Sequence, residues 1–234
     1  MVKNSTGLIQ IAHIASAPDV LNELQRLDRE LVTRGLKQFS LFNHAYVIVT
    51  MRIADAMRAD YFKEPSLIEP FIVIFVRYYF EALNDVVNDT LNPSSPWLKM
   101  NEYAKIHSAP VFMSLLIGAN AHINHDLPIA LKEFVDTRGD DHSLTDLAKL
   151  SKILMRSGIE ITDSFDEPNK FYDFLKRRLR FTYYRPAMYT ILAWRLVAWR
   201  NYRRLQSSEA AISHISRRSL KIAKRLLHIA RILS

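Results

Sequence analysis

Two histidines and an aspartate lie close together in the segment NAHINHDLP, residues 120–128, between an apolar run and a helix-like segment. On an α-helix, residues three or four apart share a face, so His122, His125 and Asp126 point in roughly the same direction. Pro128 has no backbone donor and its ring displaces the carbonyl four residues earlier, so we expect the helix to kink or stop near Asp126. The spacing predicts a polar site at a helix end within an apolar region.

Imidazole and carboxylate side chains are natural ligands for zinc, manganese or iron, and the chain contains no Cys that could supply thiolates. We predict a site for one such divalent metal, held by His122, His125 and Asp126. A second His-x-x-x-Asp pair and a histidine on an apolar helix are further candidate ligands: His142, Asp146 and His44. The alternative is a structural cluster, in which Asn120 and Asn124 hydrogen-bond to the histidines and Asp126 caps the next helix.

Other charged residues are candidates for a catalytic role beside this metal. Glu81 and Asp85 lie four apart, and either carboxylate could accept a proton from a metal-bound water. Arg185 and Arg195 lie on an aromatic and basic segment, where an inward-facing guanidinium could hold a carboxylate or phosphate. The alternatives are a solvated face for the two carboxylates and an ordinary core stripe for the aromatic segment.

Helical periodicity dominates the chain and predicts the elements that would position these residues. Only 5 Gly occur among 234 residues, and no segment alternates clearly like a half-buried strand. We therefore predict an all-α fold, a single orthogonal or bundle-like domain of about eight helices over residues 1–205. A long helix over 171–205 is expected to kink at Pro186, and an earlier helix is expected to end at Gly158.

The C-terminal segment 206–234 is predicted to form an appended basic amphipathic helix. Residues 210–234 contain six Lys and Arg and no acidic residue, whereas the net charge of the whole chain is +8. Such a helix can lie on an anionic membrane surface, and residues 209–234 are the expected contact. The open alternatives are docking on its own domain and pairing in an oligomer. We do not expect a nucleic-acid partner.

No apolar run reaches the roughly 18 residues that a membrane-spanning helix needs. The N-terminal segment GLIQIAHIASAP is interrupted by polar residues, and we do not expect it to act as a signal peptide. A cytoplasmic protein is the expectation, with peripheral attachment to a membrane through the basic helix as the variant.

The segment LLIGANAHINHDLPIAL resembles the signature of a bacterial family of unknown function, Gly-x-Asn-Ala-His-Ile-x-x-Asp-Leu-Pro. The resemblance extends more loosely to FNHAYVIVT, to the helix containing Asp146 and to RLVAW at Arg195–Trp199, so it covers about residues 35–205. The basic helix after residue 208 is not part of the resemblance. The resemblance implies no particular reaction.

A weaker resemblance is to the zinc-dependent phospholipases C and the related single-strand nucleases, which are all-helical. Their His-x-x-x-Asp pairs, one followed closely by a proline, are similar in spacing to His122 with Asp126 and to His142 with Asp146. The chain has neither their N-terminal Trp ligand nor their full set of histidines, so the resemblance implies one or two metals rather than three.

These observations predict a metal-dependent enzyme, most readily a hydrolase whose small-molecule or lipid-like substrate is a phosphoester or a lipid-like compound. An oxidative iron enzyme with the same ligands is a close variant. The alternative from another class is a non-enzymatic helical binding protein, whose basic C-terminal helix contacts an anionic membrane or an acidic partner.

Overall fold

The computed structural model describes residues 8–103, 106, 110–138, 144–167, 170–208 and 210–234, with the side chains of 144, 180 and 181 left out. Apart from a short 3-10 helix at Ile11–His13, these residues form helices with the following bounds: α1 Ala17–Thr33, α2 Lys37–Arg58, α3 Pro65–Asn88, α4 Trp97–Tyr103, α5 Val111–Ala119, a π-helix Asn120–Asp126, α6 Leu127–Arg138, α7 Leu144–Asp163, α8 Lys170–Tyr183, α9 Arg185–Ser207 and α10 Ala211–Leu233. The predicted all-α class is confirmed.

Helix α1 shows how directly local sequence sets an element. Ser16 accepts a hydrogen bond from the backbone of Asp19, whose carboxylate in turn accepts one from the Ser16 backbone, and Pro18 lies in the first turn. One face of α1 is buried against α2 and α3 through Val20, Leu24, Leu27 and Leu31. This packing fixes the position of α2, which carries part of the candidate site.

The helical run does not stop at the segment around Pro128, contrary to one of the two outcomes that we expected. Helices α5 and α6 are joined by the π-helix, in which the backbone N–H of Leu127 donates to the carbonyl of His122, five residues earlier. The wider turn lets the chain pass Pro128, whose ring is incompatible with regular α-helical bonding to Asn124. The helical run therefore continues through the polar segment and keeps it inside the protein.

Two other predicted boundaries are wrong. Helix α7 continues through Gly158 to Asp163, and a Cβ atom at residue 158 would lie 2.8 Å from the ring of Tyr184. The glycine therefore allows close helix packing and does not end the helix. The predicted kinked helix is two helices, because α8 ends at Tyr183 and α9 begins with Pro186 in its first turn.

Helix α10 packs on the rest of the protein instead of projecting from it. Its buried residues face α4, α5, α9 and the π-helix: Ile215, Ser219, Ala223, Leu227 and Ala230. Leu227 and Ala230 belong to the same hydrophobic core as residues of α1 to α7. No helix among the residues that the structure describes is both long and apolar enough to cross a membrane.

Candidate functional site

The predicted histidine–aspartate segment forms a buried hydrogen-bonded cluster around the carboxylate of Asp126. One oxygen lies 3.1 Å from Nδ1 of His122 and accepts a hydrogen bond from Nε1 of Trp97 at 3.1 Å. The other oxygen lies 2.7 Å from Nδ1 of His125. Because an ionised carboxylate only accepts, both imidazoles carry their proton on Nδ1.

In a neutral imidazole this tautomer leaves the Nε2 lone pair free to accept a hydrogen bond, as at His122. Nε2 of His122 lies 3.1 Å from the hydroxyl of Tyr46, which therefore donates to it. Nε2 of His125 lies 3.0 Å from the hydroxyl of Ser216 on α10. The result is a continuous chain of hydrogen bonds from Tyr46 through His122 to Asp126, which we call the Tyr46–His122–Asp126 chain.

The surrounding helices hold this chain in place. His122 and Asp126 lie four residues apart in the π-helix, while Tyr46 comes from α2 and Trp97 from α4. The imidazole of His122 stacks on the ring of Phe75, with ring centroids 3.8 Å apart and the planes at 10°. A ring clamped on one face and bonded at both nitrogens has one orientation.

Burial determines the charge state of each group. Burial lowers the pKa of His122, and this effect outweighs the stabilisation of the imidazolium by Asp126. Burial alone would raise the pKa of Asp126, but hydrogen bonds from His122 and His125 leave this pKa below its ordinary value. Burial raises the pKa of Tyr46, and the charge of Asp126 raises it further. At neutral pH the chain thus consists of a phenol, a neutral imidazole and a carboxylate.

Tyr46 and His122 form part of the wall of an apolar pocket with a cavity volume of about 130 Å³. Helices α2, α3, α5, α7 and α9 supply most of the wall, which includes Phe42, Val49, Ile53, Phe71, Ile72, Phe75, Leu115, Leu150, Leu154, Ile161, Met188 and Ile191. An engineered cavity of about 150 Å³ with similar walls binds benzene, so the space suffices for a single ring or a short alkyl chain.

Two further polar groups lie in this wall. The hydroxyl of Thr50 is buried and has no hydrogen-bond partner among the described residues. The guanidinium of Arg195 donates from Nε to Ser151 at 2.7 Å and from Nη2 to the carbonyl of Leu147 at 3.4 Å. Burial lowers the pKa of Arg195 to about 10, so the group is still a cation at neutral pH.

No carboxylate in the described part of the chain forms an ion pair with Arg195. A buried charge without a counter-ion costs several kcal/mol after relaxation of the surroundings. Ser151 and the backbone of Leu147 offset only part of this cost, because they are neutral acceptors. Arg195 is thus the one residue from our predicted catalytic set that the structure places beside His122 in the pocket wall.

The other predicted catalytic residues lie elsewhere. Glu81 forms an ion pair with Arg77 at 3.4 Å, and Asp85 accepts a hydrogen bond from Thr90 at 2.8 Å. Arg185 is exposed at the start of α9. None of the three lines the apolar pocket.

The remaining predicted metal ligands do not join His122 either. Asp146 accepts a hydrogen bond from the backbone of Glu64 at 2.7 Å and pairs with Lys149. His44 pairs with Asp28 at 2.7 Å, between α1 and α2. His142 lies outside the described residues.

The described residues contain no group of three or more His, Cys, Asp or Glu side chains arranged to hold a metal ion. His122 and His125 share a carboxylate, but their Nε2 atoms face Tyr46 and Ser216 on different elements. The metal centre therefore stays a prediction from the sequence, and the two Nε2 atoms are directed at different neighbours.

Sequence reasoning missed Tyr46, Trp97 and Thr50 as members of the site. Tyr46 is 76 residues from His122 and Trp97 is 29 residues from Asp126, so no helical spacing relates them. One available signal was the position of Tyr46 in FNHAYVIVT, an apolar helix already singled out for His44.

Together these features define a class: an all-α protein with a buried histidine–aspartate pair on the wall of an apolar pocket. A model described as a family of unknown function (DUF5995) matches residues 17–233, and the chain belongs to this family. Comparisons with curated proteins and with solved structures found no match. The expected membership of an uncharacterised family is confirmed, and the match includes the C-terminal helix that our resemblance left outside.

Proposed function

We propose that this protein is an enzyme that performs acid–base chemistry on a small apolar or lipid-like molecule held in the apolar pocket. The observation that carries the proposal is the Tyr46–His122–Asp126 chain in the pocket wall. A neutral imidazole oriented by a carboxylate is the arrangement that a general base requires.

The proton path follows from the tautomer. A substrate or water molecule in the pocket gives a proton to the hydroxyl oxygen of Tyr46, and the phenolic proton moves to Nε2 of His122. The imidazolium that forms is stabilised by the ionised carboxylate of Asp126, while Tyr46 stays neutral, in keeping with its raised pKa. This step needs no rearrangement of the hydrogen bonds already present.

Nuclear magnetic resonance of the histidine side chains tests this proposal. In protein with ¹⁵N-labelled histidine, we expect His122 to be neutral at pH 7 with its proton on Nδ1, and its Nε2 signal to shift when toluene or phenol is added. His44 serves as a control, since it also pairs with an aspartate but lies outside the pocket. A charged His122 at pH 7, or a signal that does not respond to probes that bind, contradicts the proposal.

Turnover provides the second readout. A panel of p-nitrophenyl esters with short acyl chains is offered to the wild type, to His122→Gln and to His44→Gln. We expect activity to fall about 100-fold or more in His122→Gln, within the range of general-base effects, and to persist in His44→Gln.

A metal-dependent hydrolase is a second candidate, and one observation favours it. Both His122 and His125 donate from Nδ1 to Asp126, which is the way many metal-ligating histidines are oriented. The test is elemental analysis of the purified protein beside His122→Ala. Near-stoichiometric zinc, manganese or iron that is lost in the variant supports this candidate over a metal-free reaction.

Contact with an anionic membrane is also proposed, for the basic side of α10. Its six Lys and Arg are all exposed, and so are Ile229 and Ile232. Each cation near an anionic surface contributes about 1 kcal/mol. We expect the protein to sediment with vesicles containing anionic lipid but not with neutral vesicles. The variant Lys221→Glu/Lys224→Glu should lose this binding, whereas the control Arg29→Glu/Lys63→Glu, with the same charge change on other exposed residues, should keep it.

A further inference from the structure

We propose that the ligand of the apolar pocket is a small carboxylic acid, bound as the carboxylate and held by Arg195. The inference rests on the proposed function only in that the same pocket receives the substrate. It adds the chemical class of that substrate and the residue that selects it.

The first argument is the unused donor capacity of Arg195. The hydrogen bonds to Ser151 and to the carbonyl of Leu147 use Nε and Nη2, and Nη1 has no partner among the described residues. A guanidinium presents its donors as a planar fork that matches the two oxygens of a carboxylate. If residue 195 served only to join α9 to α7 by hydrogen bonds, a neutral side chain would suffice, without the planar fork of donors or the positive charge of a guanidinium.

The second argument is the electrostatic character of the pocket. The described residues that line it include no Asp or Glu, so the charge of Arg195 is not neutralised by the wall. His122 is neutral and Tyr46 is protonated, which leaves Arg195 as the only ionised group in that lining. A monoanion would balance this charge, whereas a phosphate dianion would leave an excess negative charge in an apolar site.

The third argument is Thr50, which lines the pocket from α2. Its buried hydroxyl has no partner, although buried hydroxyl groups are normally hydrogen-bonded. A bound polar group would supply that partner. With a cavity of about 130 Å³, the rest of the ligand is a single ring or a short chain packed on residues such as Phe75 and Ile191.

Arg195 also influences the acid–base groups. Its charge adds to the lowering of the pKa of His122 and opposes the rise in the pKa of Tyr46, so it lies near enough to act on each. Because Arg195 and His122 line the same pocket, a ligand anchored at Arg195 places its apolar body beside His122.

Matched ligands test this inference without any substitution. Binding of hexanoate and benzoate to the wild-type protein is measured by calorimetry at pH 7, beside hexanamide and benzamide. We expect each carboxylate to bind at least 10-fold more tightly than its amide. Acid and amide of equal affinity would refute the inference while leaving the pocket as a binding site.

Substitutions then assign the selectivity to Arg195. In Arg195→Gln the preference for the acid should disappear while amide binding remains. In Arg195→Lys part of the preference for the acid should return, because lysine keeps the positive charge. The return should be incomplete, because lysine lacks the planar fork of donors. Ser151→Ala is the variant to use if Arg195→Gln does not fold, and we expect it to reduce the preference because the guanidinium loses the hydrogen bond that positions it.

The outcomes separate this inference from the proposed function. If the His122 signal responds to the amides as well as to the acids, and the affinities are equal, the acid–base site stands and the inference fails. If neither acids nor amides bind at millimolar concentration, both fail. A preference for the acid that survives in Arg195→Gln also overturns the role given to Arg195.

Discussion

Replacing Asp126 by alanine removes a carboxylate that accepts hydrogen bonds from three side chains. His122 and Trp97 are both at most 4% exposed, so neither donor can turn to water when the carboxylate is absent. Each buried donor left without a partner costs about 1–3 kcal/mol. The side chain of His125 is 19% exposed and can rotate toward solvent, so it adds little.

The two buried donors together predict a loss of about 4 kcal/mol in the free energy of unfolding. For a chain of this size, 1 kcal/mol corresponds to about 2–4 °C, so the melting temperature should fall by about 8–16 °C. Urea denaturation followed by circular dichroism measures the first quantity, and a thermal scan measures the second. Because the cluster joins the π-helix to α2 and α4, both methods report on one cooperative core.

The control is Asp136→Ala, which breaks the pair between Asp136 and Lys132. Both of these side chains are about a quarter or more exposed, so water can replace the lost partner and the cost should stay below about 1 kcal/mol. If Asp126→Ala costs no more than Asp136→Ala, the carboxylate is not the centre of a buried network, and the charge states derived for His122 and Asp126 are wrong.

Three other changes have defined outcomes. Burial lowers the pKa of His122, so the unfolded state binds more protons than the folded state once the pH falls below the ordinary value of 6.5. The free energy of unfolding should therefore decrease as the pH falls below 6.5 in the wild type and decrease less in His122→Gln, as measured by urea midpoints. Gly158→Ala should lower the free energy of unfolding by about 1 kcal/mol, because overpacking against the ring of Tyr184 exceeds the gain in helix propensity. In a Tyr184→Ala background the same substitution should become stabilising, and a double-mutant cycle measures the difference. Glu160→Ala should leave the urea midpoint unchanged, because its ion pair with Arg52 is solvent-exposed; a clear shift would show that α2 and α7 depend on that pair.

Local patterns predicted the features that depend on neighbouring residues. The start of α1 is encoded locally by Ser16, Pro18 and Asp19, and the proximity of His122 to Asp126 followed from helical spacing. The all-α class followed from periodicity and the scarcity of glycine. In each case the interaction spans four residues or fewer, so the sequence alone contains the relevant geometry.

Features that depend on packing between distant elements could not be predicted in this way. The partner of His122 comes from α2 and that of Asp126 from α4, and no local rule relates them. Gly158 resembles a helix end when read alone, yet the ring of Tyr184 from the α8–α9 junction explains it. Pro128 likewise predicted an interruption, because a π-turn is not implied by any single residue type.

The π-helix also sets which face of α6 points into the core, relative to the faces of α5. Its backbone bonds span five residues, so residues after it are rotated by about one residue, or roughly 100°, relative to a regular α-helical continuation. That rotation directs a stripe of α6 into the core, with members Leu127, Ala130, Leu131 and Phe134. Deleting one residue between 120 and 126 would remove the wide turn and rotate this stripe about a quarter of a turn away from the core, and it would place Pro128 where its ring opposes regular α-helical bonding. The orientation of His122 and the register of α6 are thus coupled through the π-helix.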